Sequence, residues 1–100
     1  MATLVFAPIE QSTQEVKRIW QFDFTPDMPT GVTLVSATAV HVPPSGAPLT
    51  PVVGTIVAGV VPVALGKLRV TGLHYLDCLA TYSNPDAEVS HIRLAIPCNY

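Results

Sequence analysis

Apolar residues in this chain recur at every second position in short runs, and almost nowhere at the three- and four-residue spacing of a helix. Val16 to Phe24 shows the pattern. Trp20, Phe22 and Phe24 share one parity with Val16 and Arg18, while Lys17, Gln21 and Asp23 share the other with Ile19. A side-chain period of two belongs to a strand with one face turned to a core. The best helical candidate is Gln11 to Arg18, a single turn in which Ser12 and Glu15 have the spacing of a capping box.

Punctuation cuts the rest into strand-sized pieces. Thr25 to Gly31, "TPDMPTG", carries two prolines and a closing glycine and reads as a loop. Val32 to Val42 follows, with Val32, Leu34, Val40 and Val42 on one parity; Ser36 and Thr38 interrupt it, which predicts a bulge or bend. Pro43 to Pro48 is a second loop. Val52 to Ala58 reads as a strand that Pro51 and Gly54 assign to an edge or a bend. Lys67 to Thr71 is a short strand with Leu68 and Val70 facing in, and Tyr75 to Tyr82 is the next. Ser83 to Asp86 is a turn. Glu88 to Ile96 closes the domain, with Val89, Arg93 and Ala95 on one parity and Ile92, Leu94 and Ile96 on the other. Roughly six or seven strands with turns every ~8–12 residues predict an all-β fold, a single antiparallel β-sandwich of the immunoglobulin type. Residues 1–14 form an N-terminal arm or edge strand, and residues 15–100 the sandwich. A chain of 100 residues supports one such core.

Composition narrows the function. Only 12% of residues are charged, about half the usual ~25%, which leaves apolar surface for a partner to cover. The five cations, Lys17, Arg18, Lys67, Arg69 and Arg93, form no run, so no nucleic-acid partner is expected. The N-terminus shows no basic, apolar leader. The longest apolar run, Val52 to Leu65, falls short of the ~20 residues a membrane helix needs and is broken by glycines and Pro62.

No chemistry-bearing pattern emerges. His41, His74 and His91, with Cys78, Cys98 and Asp77, are raw material for a metal, but no ligand spacing joins them. There is no G-x-S-x-G, and Ser45-Gly46 lies in a proline loop. No catalytic residue, cofactor or small-molecule substrate is therefore expected. Cys78 and Cys98 raise the question of a disulfide. If Ser83 pairs with Glu88, Cys78 faces Arg93 and Cys98 faces Leu73, five positions out of register. That is on the order of 16 Å, beyond disulfide reach, so both thiols are expected to be free. Cys78 shares its parity with Leu76 and Ala80 and is assigned to the core. Tyr75, three residues after Gly72, has the placement of a tyrosine corner. Trp20, Phe22 and Phe24 are assigned to the core. Leu4, Val5 and Phe6 are expected to pair with a sheet edge, either as the first strand of their own domain or as a contact between adjacent subunits.

Two segments together resemble the small immunoglobulin-like fiber-tail adaptors of tailed bacteriophages. "FDFTPDMPTGVTLVSATAVHV" has Asp23-Phe24, Gly31 and Ser36-Ala37 where that family has Asp-aromatic, a loop glycine and Ser-Ala. "TGLHYLDCLATYSNPDAEVSHIRLAI" has its Thr-Gly, Tyr, alternating strand, polar turn and last strand. The likeness covers about Arg18 to Ile96. Phe24 stands where the family often has Trp, and "SNPDAE" replaces a glycine-containing turn. The resemblance implies a non-enzymatic virion protein, assembled in the bacterial host cytoplasm. Such a protein joins tail and fibers through contacts with other tail or fiber proteins and forms a homo-oligomeric ring. Two further expectations fit the residues: another virion subunit, such as a capsid decoration or tail protein, and a non-viral binding or adhesion sandwich. The aromatics sit at strand positions, and Asp27 and Asp86 stand alone in their loops, so the adhesion reading has little to rest on.

Overall fold

The computed structural model describes residues 2–7, 10–28, 30–84 and 89–99. The chain is all-β, built of two sheets packed face to face. The strands are β1 (Ala2–Phe6), β2 (Gln11–Ser12), β3 (Lys17–Asp23), β4 (Leu34–Val42), β5 (Val52–Val53), β6 (Val60–Gly66), β7 (Gly72–Tyr82) and β8 (Ser90–Asn99). One sheet has the order β1-β8-β7-β4, with β2 following β1 along the same edge of β8; the other has the order β3-β6-β5. The only helical element among the described residues is a 3-10 turn at Thr25–Asp27. No helix there is long and apolar enough to cross a membrane.

The core forms where the inward parities of the two sheets meet. Trp20, Phe22, Phe24, Val61, Val63 and Leu65 come from or beside the smaller sheet, and Leu76, Cys78, Ala80, Ile92, Leu94, Ile96 and Cys98 from the larger. The face assignment for Val16 to Phe24 holds at Trp20, Phe22 and Phe24, which are buried, whereas Val16 is exposed. In β4 the inward face carries Ala37, Ala39 and His41, and Val40 points out. A register shift between Leu34 and Ser36 supplies the expected irregularity. It lets Leu34 join the inward residues although its parity differs from theirs.

Several expectations change. The sandwich is not purely antiparallel, because β1 and β2 both pair parallel to β8. Both lie along one edge of the larger sheet, and Gln11 of β2 is fully buried. Gln11 to Arg18 forms no helical turn: the Ser12 hydroxyl accepts the Gln14 N–H at 3.0 Å and folds the chain into a tight turn instead. Lys67 to Thr71 is not a strand. Leu68 is nonetheless fully buried, its backbone having left the sheet at Gly66. The β7–β8 register is one residue from the expected one: Cys78 faces Ile92 and Cys98 faces Gly72. This register sets Leu76 against Leu94 and Asp77 against Arg93, so apolar meets apolar and charge meets charge, whereas a slip by one would cross the faces. The expected turn at Ser83 to Asp86 includes Pro85 and Asp86, which lie outside the described residues, as do Pro8 and Ile9.

Candidate functional site

The outward face of the larger sheet carries the features that the core does not explain. Cross-strand pairing sorts its side chains into rows. Phe6, Ala95, Tyr75 and Val42 form one, Leu4, Arg93, Asp77 and Val40 the next, and His91, Leu79 and Thr38 a third. Leu4, Phe6, Val40 and Leu79 are exposed at 56%, 65%, 57% and 43%, so the flanks of this face are apolar and uncovered.

Its centre is polar and ordered. The Arg93 guanidinium grips Asp77 with two N–H donors, at 2.8 and 2.9 Å. His91 Nε2 stands 3.4 Å from the same carboxylate. The Arg93 guanidinium also lies over the Tyr75 ring at 4.7 Å. Its hydrogen bonds hold the Asp77 carboxyl below the usual carboxylate range, against the opposing cost of burial. Bidentate geometry fixes the guanidinium plane and so stiffens the middle of the face. Sequence reading missed the cluster because the expected register set Cys78, not Asp77, across from Arg93. Tyr75, expected at a tyrosine corner, contributes to this face with its ring. It is Tyr82 whose hydroxyl reaches across the hairpin, to Ser90 Oγ at 2.6 Å.

The sequence-assigned edge residues Leu4, Val5 and Phe6 pair with Arg93, Leu94 and Ala95 of their own chain. All three stay more than 40% exposed. β1 therefore covers β8 but presents its own outer edge and both its faces. Trp20 is buried in the core. Its indole N–H donates to Gln11 Oε1 at 3.0 Å, and Gln11 Nε2 donates to the Gly66 carbonyl at 3.2 Å. This bridge ties the β2 edge of one sheet to β3 and β6 of the other.

A second polar site lies inside. His41 and His74 are buried and stacked, with ring centroids 5.2 Å apart. The Leu49 N–H donates to His41 Nδ1 at 2.9 Å, so the His41 proton sits on Nε2. That proton points at His74 Nδ1, 2.9 Å away, and His74 Nε2 then donates to the Val70 carbonyl at 2.8 Å. One tautomer of each ring satisfies every partner. Burial lowers the pKa of His41, and the neighbouring His74 lowers it further. The pair lines a cleft of about 240 Å³ with Pro43, Ser45, Leu49 and Arg69. Its work is to pin the Pro43 to Pro48 loop through Leu49. The sequence signal was a histidine on each inward parity, among Ala37 and Ala39 in β4 and before Leu76 and Cys78 in β7.

Among the described residues, no group of three or more His, Cys, Asp or Glu side chains could hold a metal ion. Cys78 and Cys98 are both buried and free. Their partners Ile92 and Gly72 place them six positions apart along the hairpin, roughly 20 Å at ~3.4 Å per residue. Burial pushes the Cys78 thiol up to about 12, so it is no nucleophile. Compared with family models, curated proteins and solved structures, the chain matches none.

Proposed function

We propose that this chain is a structural subunit that acts through protein–protein contact, an adaptor joining tail and fibers in the virion of a tailed bacteriophage. The observation that carries the contact reading is the outward face of the β1-β8-β7-β4 sheet, apolar on both flanks and stiffened at its centre by Arg93 and Asp77. Faces of this composition in small domains mark interaction sites. The phage assignment rests on the resemblance of Arg18 to Ile96 to the fiber-tail adaptors. The strand order supports it. The last, penultimate and middle strands in one sheet over a three-stranded second sheet suit an immunoglobulin-like reading, the first strand here joining the last rather than the second sheet. Two free buried thiols fit assembly in a reducing bacterial cytoplasm.

Mass spectrometry of gradient-purified particles, induced from cells that carry the gene in its native genome, tests the assignment. Peptides of this chain should co-purify with the particles in a fixed ratio to the tail proteins, and immunogold label should fall on the tail. Particles without the chain overturn the virion role, and label on the head moves it to capsid decoration.

A further inference from the structure

We infer that copies of this chain join head to tail, β1 of one pairing with β4 of the next, so that the larger sheet runs unbroken from subunit to subunit. This rests on the reading of the chain as an assembling subunit and names the surfaces it uses.

The two sheets treat their edges differently. In the smaller sheet, β3 carries Lys17, Arg18 and Asp23, and β5 is two residues long between Pro51 and Gly54. Charges, prolines and shortness are the usual means of keeping an edge from pairing with another chain. In the larger sheet, β1 (ATLVF) and β4 (LVSATAVHV) contain no Lys, Arg, Asp, Glu or Pro. Among the described residues, β1 pairs only with β8 and β4 only with β7. Each leaves its outer row of backbone groups without a strand partner.

Direction and register make the two open edges complementary to each other. β4 runs antiparallel to β7, β7 antiparallel to β8, and β1 parallel to β8, so β1 and β4 run the same way. A neighbouring copy related by a rotation about an axis along the strands brings its β1 beside β4 as a parallel pair. Such a heterologous contact closes into a ring when the rotation divides a full turn. The outward rows then continue across the joint. The row of Leu4, Arg93 and Asp77 ends at Val40, and the row of Phe6, Ala95 and Tyr75 ends at Val42. In-register joining sets Leu4 beside Val40 and Phe6 beside Val42 of the next copy, covering side chains 56%, 57% and 65% exposed at Leu4, Val40 and Phe6. A second copy is the occupant because both ends of each row present apolar side chains at the same level. A foreign strand would need only one edge, and a two-fold β1–β1 pair would leave the nine residues of β4 open.

Leu4→Lys and Val40→Glu test this, since both positions are exposed and their substitution leaves the core intact. Sedimentation velocity over a concentration series should show a closed oligomer for the unchanged chain. Each single variant should weaken assembly by at least about tenfold, because a lone charge is then buried at every joint. The double variant should recover assembly to within about threefold of the unchanged chain, since each joint then sets the new ammonium against the new carboxylate. Single variants that assemble normally overturn the edge pairing while leaving the subunit reading standing; so does a double variant no better than either single. An unchanged chain that stays monomeric at every concentration overturns self-assembly itself. Circular dichroism confirms the fold of each variant. Hydrogen exchange of the unchanged chain gives a reading free of substitutions: amides of both β1 and β4 should slow on assembly, with those of β3 and β5 unaltered. Equal slowing at β3 or β5 overturns the pairing.

Discussion

Ala58 has φ +50 and Gly59 φ +80, between Val57 and Val60, which exchange both backbone hydrogen bonds at 3.1 and 2.9 Å. Two central residues at positive φ make a type I′ hairpin, where the right-handed strand twist is accommodated but a Cβ is strained. Ala58→Gly should therefore stabilise the chain by about 1 kcal/mol, raising Tm by roughly 4–8 °C; a lowered Tm overturns the account. Gly59→Ala should do the reverse, since its Cβ would also meet Met28 Sδ at 2.7 Å. The hairpin was hidden in the sequence because Ala-Gly is a poor type I′ signal beside Asn-Gly. The histidines show a second residue-scale effect. A second proton on His41 would set Nδ1–H against the Leu49 N–H, and burial with the neighbouring His74 already lowers its pKa. The unfolded chain takes that proton near ~6.5, so below this pH it holds more protons than the folded one. Stability should accordingly be level above pH ~7 and fall as pH drops through ~6.5 towards the lower folded value. Urea midpoints across that range check it, and His41→Leu should flatten the slope. A midpoint level down to pH ~5 sinks the idea.

Elements were legible where alternation was unbroken and lost where one residue decided the backbone. β3 and β7 followed from Trp20, Phe22 and Phe24 and from Leu76, Cys78 and Ala80, because parity alone sorts core from solvent. Val52 to Leu65 splits at the Ala58–Gly59 turn, and Pro62 sets where β5 ends. Its carbonyl accepts from the Gly54 N–H at 2.8 Å, so its backbone faces the β5 side, where proline has no N–H to return. β5 stops at Val53, the residue before this gap. β2 could not be read at all, since two residues carry no period. A side chain holds it, Gln11 lying between the Trp20 indole and the Gly66 carbonyl. Gln11→Leu strips both partners of their hydrogen bonds and should cost about 1–3 kcal/mol. Amides of β2 and of the adjoining Thr13, which donates to Asn99 at 2.8 Å, should exchange faster. Trp20→Phe should also destabilise, since it leaves the buried Gln11 Oε1 without its donor and part of the core unfilled. Equal stability of the Gln11 variant and the unchanged chain would show that burial alone holds this corner. The outward face was only partly legible: its apolar ends, Leu4 to Phe6, stand out in the sequence, but the Arg93–Asp77 pairing waits on a register fixed by long-range packing.

At the scale of the molecule the Cα framework extends 44 × 23 × 23 Å, a sandwich longer than the roughly 35 Å that the eleven residues of β7 span. Its larger sheet is wider than the smaller one, and β1 lies at one edge of it. Val5 faces inward there yet remains 41% exposed. β1 therefore contributes its ladder to β8 and only partial burial of Leu4, Val5 and Phe6, while the Gln11–Trp20 bridge that closes the sandwich lies downstream of it. Deleting Met1 to Ala7 should leave a folded chain, weakened by about 2 kcal/mol from three half-covered side chains and with Tm lower by roughly 10 °C. Urea unfolding of the truncated chain should remain one cooperative transition, since the core of Trp20, Phe24, Leu65 and Ile96 is intact. The same truncation removes one of the two open edges, so it should also abolish assembly through β4. Outright loss of the all-β circular dichroism spectrum would make β1 part of the obligatory core. Undiminished assembly of the folded, truncated chain would show that subunits meet elsewhere.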